Sequence, residues 1–171
     1  ALHPDEDGVE ELWRQNVLTA LRMSQMTAKR MIQHGQRAEV EAGTMLGSIV
    51  NISSITAQVT RPELLAYSMA AAAMDQMTRS LALALAPKGI RVNAVAFGSV
   101  MSASLQAALK DQPDYRDLIV AGTPMNRIAA PAEVAEAVQF LASDAAGFIT
   151  GQVLAVDGGR SLMDAVAAPA H

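Results

Sequence analysis

Ser48-Ile49-Val50-Asn51-Ile52, the long Ala- and Leu-rich stretch from Tyr67 to Ala86, and Ile90-Arg91-Val92-Asn93-Ala94-Val95-Ala96 decide the fold. The first and last of these are short and rich in β-branched residues, which predicts strands. The stretch between them predicts a helix, closed by the turn residues Pro87-Lys88-Gly89. A strand, a crossover helix and a second strand imply parallel pairing in an α/β layered sheet. The pattern then repeats. Pro131 predicts a helix start, with the helix running to Ala142, and Val153-Leu154-Ala155-Val156 predicts a third strand closed by Asp157-Gly158-Gly159. Upstream, Trp13, Val17, Ala20, Leu21, Ser24 and Ala28 recur at three- and four-residue spacing. This predicts an amphipathic helix over 9–33, entered at Asp7 and Gly8 and stopped by Gly35, with a loop over 36–47. The first strand is left with an unpaired edge unless something covers it.

Composition narrows the function. The chain has 171 residues, 51% hydrophobic and 18% charged, with net charge -4, enough for one domain with a substantial core. It carries no basic tract, which argues against nucleic acid or an anionic membrane as partner. No apolar run is long enough to span a bilayer, and the acidic start Ala1 to Asp7 lacks the pattern of a signal peptide. There is no cysteine, so disulfides, zinc–thiolate sites and thiol nucleophiles are excluded. His3, His34 and His171 have no metal-ligand spacing.

Ligands in open α/β sheets bind beyond the carboxyl ends of the strands. Ser53-Ser54, Phe97-Gly98-Ser99-Val100 and Asp157-Gly158-Gly159 stand at three such ends, and Tyr67 opens the following helix. The Ser54 hydroxyl and the Tyr67 phenol are thus placed to face one ligand. Taken singly, Ser54 and Tyr67 read as loop and cap residues and Asn16 as a core polar group. Asp157 reads as a turn former.

Several ordered motifs change that weighting. They are Ile49 to Ser54, Tyr67-Ser68-Met69-Ala70, Gly89 to Val95, and Gly147-Phe148-Ile149-Thr150-Gly151-Gln152 running to Asp157-Gly158-Gly159. Together they resemble the second half of a short-chain dehydrogenase/reductase, in the branch of 3-oxoacyl-carrier-protein reductases and sugar or polyol dehydrogenases. The resemblance implies a parallel doubly wound, Rossmann-like sheet with helices on both faces. It implies hydride transfer between NAD or NADP and a secondary alcohol or ketone. Tyr67 would be the general acid/base, Ser54 would hold the substrate oxygen, and Asn16 would hold a relay water. Gly98, Val100 and Ser102 would meet the nicotinamide end of the cofactor. The segment from Ser99 to Met125 matches the family's variable substrate loop. Helices 9–33 and 67–86 match those that build a homodimer or homotetramer, and the expected location is the cytoplasm.

Two departures stand out. The family has a lysine four residues after the tyrosine, and here that position is Ala71. That lysine binds the nicotinamide ribose and lowers the tyrosine pKa. A phenol at its ordinary pKa of about 10 is only about 0.1% ionised at pH 7, and lowering it to about 7 corresponds to roughly 4 kcal/mol. Alanine supplies none of this. Phe97 also replaces the usual proline before Gly98. Secondly, no glycine-rich strand-to-helix turn is present: Gly43/Gly47 and Gly147/Gly151 lack the flanking strand and third glycine. The chain thus reads as one incomplete domain, the rear portion of a longer protein. Its activity is expected to be impaired. The alternative is a non-catalytic relative retained for oligomer assembly or ligand binding.

Overall fold

The computed structural model describes residues 8–41, 43–164 and 166. Three strands, β1 (Gly47–Ser54), β2 (Ile90–Phe97) and β3 (Val153–Val156), form a parallel sheet in the order β1-β2-β3. Gly47 pairs with Ile90 and Ser54 with Phe97, so β1 and β2 end level with each other. Among the described residues β1 pairs with β2 alone.

Helix α1 (Val9–Leu12) continues through a π-helical segment (Trp13–Leu18) into α2 (Thr19–Arg37). Helix α3 (Leu65–Leu85) crosses from β1 to β2, while α4 (Ala103–Asp111), α5 (Tyr115–Ala121) and α6 (Pro131–Ala142) lie between β2 and β3. Alternation along β2 divides the core. Ile90 and Val92 face α2 and α3, with Ala28, Ala82 and Leu85 around them. Val95 faces α6, with Leu141 and Val138. Helices therefore cover both faces of the sheet.

Buried polar side chains fix the layers. Arg91, only 6% exposed, projects from β2 under the end of α6 and donates to the carbonyls of Leu141 at 2.7 Å and Ser143 at 3.0 Å. A cation there also meets the negative end of the helix dipole. Asn93 bridges β2 to the entry of β3, donating to Ile149 O at 2.8 Å and accepting from Gln152 N–H at 3.0 Å. Asn51 ties β1 to α3 through Thr78 Oγ1 at 2.9 Å.

Three expectations need correction. Gly35 does not stop the first helix, which runs on to Arg37. Gly35 is buried because α2 passes close to β1, and a Cβ there would lie 2.7 Å from Leu46 Cδ2. The helix ends instead where Glu39 takes φ 50, so the loop is shorter than 36–47. The segment from Ser99 to Met125 is not one long loop but holds α4 and α5. Ser102 Oγ accepts from Leu105 N–H and caps α4. Asp7, His3 and His171 lie outside the described residues.

Candidate active site

Asn16, Ser54 and Tyr67 line one cavity of about 370 Å³, together with Ser53, Ala71 and Phe97. Each comes from a different element: the π-helical segment, the last residue of β1, and the first turn of α3. The level ends of β1 and β2 put Ser54 beside Phe97. Helix α3 begins two residues before Tyr67, not at it.

Hydrogen bonding assigns what each group can offer. Ser54 Oγ accepts from Thr56 N–H at 3.3 Å and from Thr56 Oγ1 at 3.1 Å. A hydroxyl has one donor and two acceptor positions, so the Ser54 O–H stays free to donate into the cavity. The Asn16 amide and the Tyr67 hydroxyl have no hydrogen-bond partner among the described residues. The π turn widens the helix at this point: Thr19 N–H and Thr19 Oγ1 both bond Arg14 O, the latter at 3.0 Å. Such bulges recur at functional sites because they re-aim side chains. Here Gln15, Asn16 and Thr19 all reach the cavity.

Behind the wall, Ser53 Oγ donates to the Asp75 carboxyl at 2.5 Å. Asp75 is 4% exposed. Burial pushes its pKa above the usual carboxylate range, against the Ser53 hydrogen bond and the Arg79 charge. Among the described residues neither lysine nor arginine lines the cavity, and Ala71 contributes a methyl group to its wall.

Gly98, Val100 and Ser102 do not line this cavity. They follow Phe97, the last residue of β2, in sequence. A Cβ on Gly98 would lie 3.0 Å from Asp157 Cβ, so glycine permits the ends of β2 and β3 to approach. Val100 pairs with Ala129 in an isolated parallel bridge, and its own N–H has no partner among the described residues. Ser99, Met125, Arg127 and Asp157 line a neighbouring cavity of about 310 Å³. There Arg127 grips Glu133 through two hydrogen bonds of 2.6 Å, and that cation with the Ala130 N–H holds the Glu133 carboxyl at about 2. Met101 is not among the residues lining either cavity. Among the described residues, no group of three or more His, Asp or Glu is placed to hold a metal ion. No described helix is long and apolar enough to cross a membrane.

The sequence reading passed over Gln15, Thr19 and the Ser53–Asp75 pair. Ser53 carried a signal, its place beside Ser54 on an apolar strand. The π turn carried none, because Trp13 to Leu18 keeps ordinary helical composition.

Residues 1–161 match the family model described as enoyl-(acyl carrier protein) reductase. A cis-4-hydroxycyclohexanecarboxylate dehydrogenase from Sinomonas cyclohexanicum is 47% identical over 127 residues, covering 74% of this chain and 49% of that protein. The crystal structure of a gluconate 5-dehydrogenase from Burkholderia cenocepacia, in complex with NADP and tartrate, superposes with a TM-score of 0.82 at 30% identity, over 96% of this chain and 59% of that one. A 7α-hydroxysteroid dehydrogenase complexed with NADH gives a TM-score of 0.74 at 30% identity, over 84% and 52%. The chain thus spans about half the length of the curated relative, at 49%.

Proposed function

The chain belongs to the short-chain dehydrogenase/reductase family, and on that premise we propose that it forms the substrate-facing part of an NAD(P)-dependent oxidoreductase interconverting a secondary alcohol and a ketone. The observation that carries this reading is the meeting of Asn16, Ser54 and Tyr67 on one cavity. When bound, a nicotinamide cofactor would supply the hydride chemistry in the reducing direction. The Ser54 O–H donates to the carbonyl oxygen and stabilises its growing negative charge. The Tyr67 phenol gives that oxygen its proton, leaving an alcohol, and Asn16 orients a water that returns a proton to the phenolate.

The cofactor's fit is split. The unpartnered Val100 N–H suits a carboxamide oxygen, and Gly98 keeps the rim free of side chain. The ribose side does not fit as well, because position 71 offers no cation. NADP is present in one related structure and NADH in another, so both remain in the proposal.

Restoring the cation is the test. NADH and NADPH binding by fluorescence, and carbonyl reduction, are compared for the full encoded protein and for Ala71→Lys. The expected result is cofactor binding by both and turnover raised by about two to three orders of magnitude in the variant. Absence of cofactor binding in both overturns the reading.

One observation favours an assembly role beside or instead of catalysis. Met23 and Met26 on α2 and Leu65 and Met69 on α3 are 58%, 55%, 40% and 43% exposed. Apolar side chains so exposed on two helices suit a homodimer or homotetramer. Self-association in both proteins without cofactor binding supports this second reading.

A further inference from the structure

Asn51 and Ser53, two residues apart on β1, point to the same side of the strand, toward α3. Each makes a polar tie to that helix: Asn51 to Thr78 Oγ1 at 2.9 Å, and Ser53 Oγ to Asp75 Oδ1 at 2.5 Å. Only the second tie reaches the cavity, because Ser53 lines it and Asn51 does not. The Asp75 carboxyl has no other hydrogen bond among the described residues. A buried carboxyl served by a single hydroxyl costs stability, and an apolar side chain of similar size would pack there without that cost. A carboxyl placed so beside a cavity calls for a role in the cavity.

That role follows from the Ser53 proton. A hydroxyl has one proton and two acceptor positions. Behind the cavity wall Ser53 Oγ has two acceptors within reach, Asp75 Oδ1 and the Ala71 carbonyl at 3.3 Å. With Asp75 ionised, the Ser53 proton goes to the carboxylate. With Asp75 protonated, the carboxyl donates to Ser53, and the Ser53 proton goes to the Ala71 carbonyl. In both states the proton points inward and at least one lone pair is left for the cavity. Ser54, next along the strand, is set the other way: it accepts twice from Thr56 and keeps its proton for the cavity. Neighbouring serines thus offer one acceptor and one donor to the same space. Donation to a carboxyl also strengthens Ser53 Oγ as an acceptor, because hydrogen bonds in a chain polarise one another. Gln15 and Thr19 bring further oxygens to the cavity, but both residues are exposed, whereas Ser53 is 4% exposed.

We propose that Asp75 is a positioning residue for proton transfer: by turning the Ser53 proton inward, it makes Ser53 Oγ the acceptor that, with Asn16, orients a cavity water toward the Tyr67 phenol. The proposal rests on the oxidoreductase reading. The water gives one O–H to Ser53 Oγ and points the other at the Tyr67 oxygen, while the unpartnered Asn16 amide holds it from the helix side. When the phenolate regains its proton, an O–H bond forms on Tyr67 and one breaks on the water, which takes a proton back from bulk solvent. Nothing is oxidised or reduced in this step.

Ketone reduction by the full encoded protein, followed through NADH or NADPH in light and heavy water with the faster of cyclohexanone and acetoin, tests the assignment. Ser53→Ala and Asp75→Leu are each expected to lower kcat about tenfold at unchanged KM and to raise the solvent isotope effect. Ser53→Thr keeps a hydroxyl and should retain the parent rate. Thr78→Val removes the other tie between β1 and α3, so it should lower the urea midpoint while leaving kcat and the isotope effect as in the parent. Parent rates in Ser53→Ala and Asp75→Leu, a loss confined to KM, or an equal loss in Thr78→Val overturns the proposal. Should Ser53→Ala fail to fold, Asp75→Leu decides. The oxidoreductase reading fails in a different way: no protein, Ala71→Lys included, then transfers hydride from either cofactor, and the proposal falls with it.

Discussion

The Ser53 hydroxyl lies 2.5 Å from Asp75 Oδ1, with both residues almost fully buried. The same hydroxyl is 3.3 Å from the Ala71 carbonyl. It thereby joins the end of β1 to the turn of α3 that carries Ala71. A carboxyl is thus buried next to the cavity with a hydroxyl, and no cation, as its hydrogen-bond partner.

That burial makes stability pH-dependent. Asp75 has its pKa raised, so ionising it is harder in the fold than in the unfolded chain. A raised carboxyl leaves stability whole below the ordinary carboxylate range and erodes it as pH rises through the folded pKa. Asp75→Asn keeps the shape and removes the charge. Its urea midpoint should gain on the parent's progressively above about pH 4. An equal difference at acidic and neutral pH would show that the carboxyl is not the cause.

Ser54 already accepts two bonds from Thr56, so its remaining function is donation. Introduced into the Ala71→Lys protein, Ser54→Ala should lower kcat by about 10²–10³-fold while leaving KM nearly unchanged. A loss seen chiefly in KM would assign the hydroxyl to ground-state binding.

Arg91 satisfies carbonyls of Leu141, Ala142, Ser143 and Ile149 at 2.7 to 3.4 Å. Arg91→Leu leaves those acceptors buried without a donor and should cost about 3 kcal/mol of unfolding free energy. Faster proteolytic cleavage after α6 should accompany the loss. Unchanged urea unfolding would mean that water replaces the guanidinium.

Gly89 and Gly43 separate backbone strain from steric contact. Both have positive φ, 72° and 90°. A Cβ at Gly89 would lie 2.3 Å from Thr44 O, whereas one at Gly43 meets nothing within 4 Å. Gly43→Ala should cost about 1 kcal/mol, from the left-handed backbone alone, and Gly89→Ala should cost more than about 2 kcal/mol. Equal melting temperatures for the two variants would count against this ranking.

The sequence by itself determined the elements whose causes are local. Pro131 at a first helical position set the start of α6, and the β-branched run Ile90 to Val95 set β2. Tyr67 and Ser54 stand out in the sequence by their spacing within ordered motifs, and both line one cavity. Tertiary structure decided the rest. Gly35 reads as a stop but is a contact with Leu46, eleven residues on. Helices α4 and α5 form in a stretch that lacks one clear apolar period, and the π turn at Asn16 leaves no compositional trace. Ser53 with Asp75 and Ser99 with Arg160 are pairs 22 and 61 residues apart. Propensity and periodicity act over a turn or a strand, whereas these pairings arise only when the parallel sheet brings its three carboxyl ends to one place.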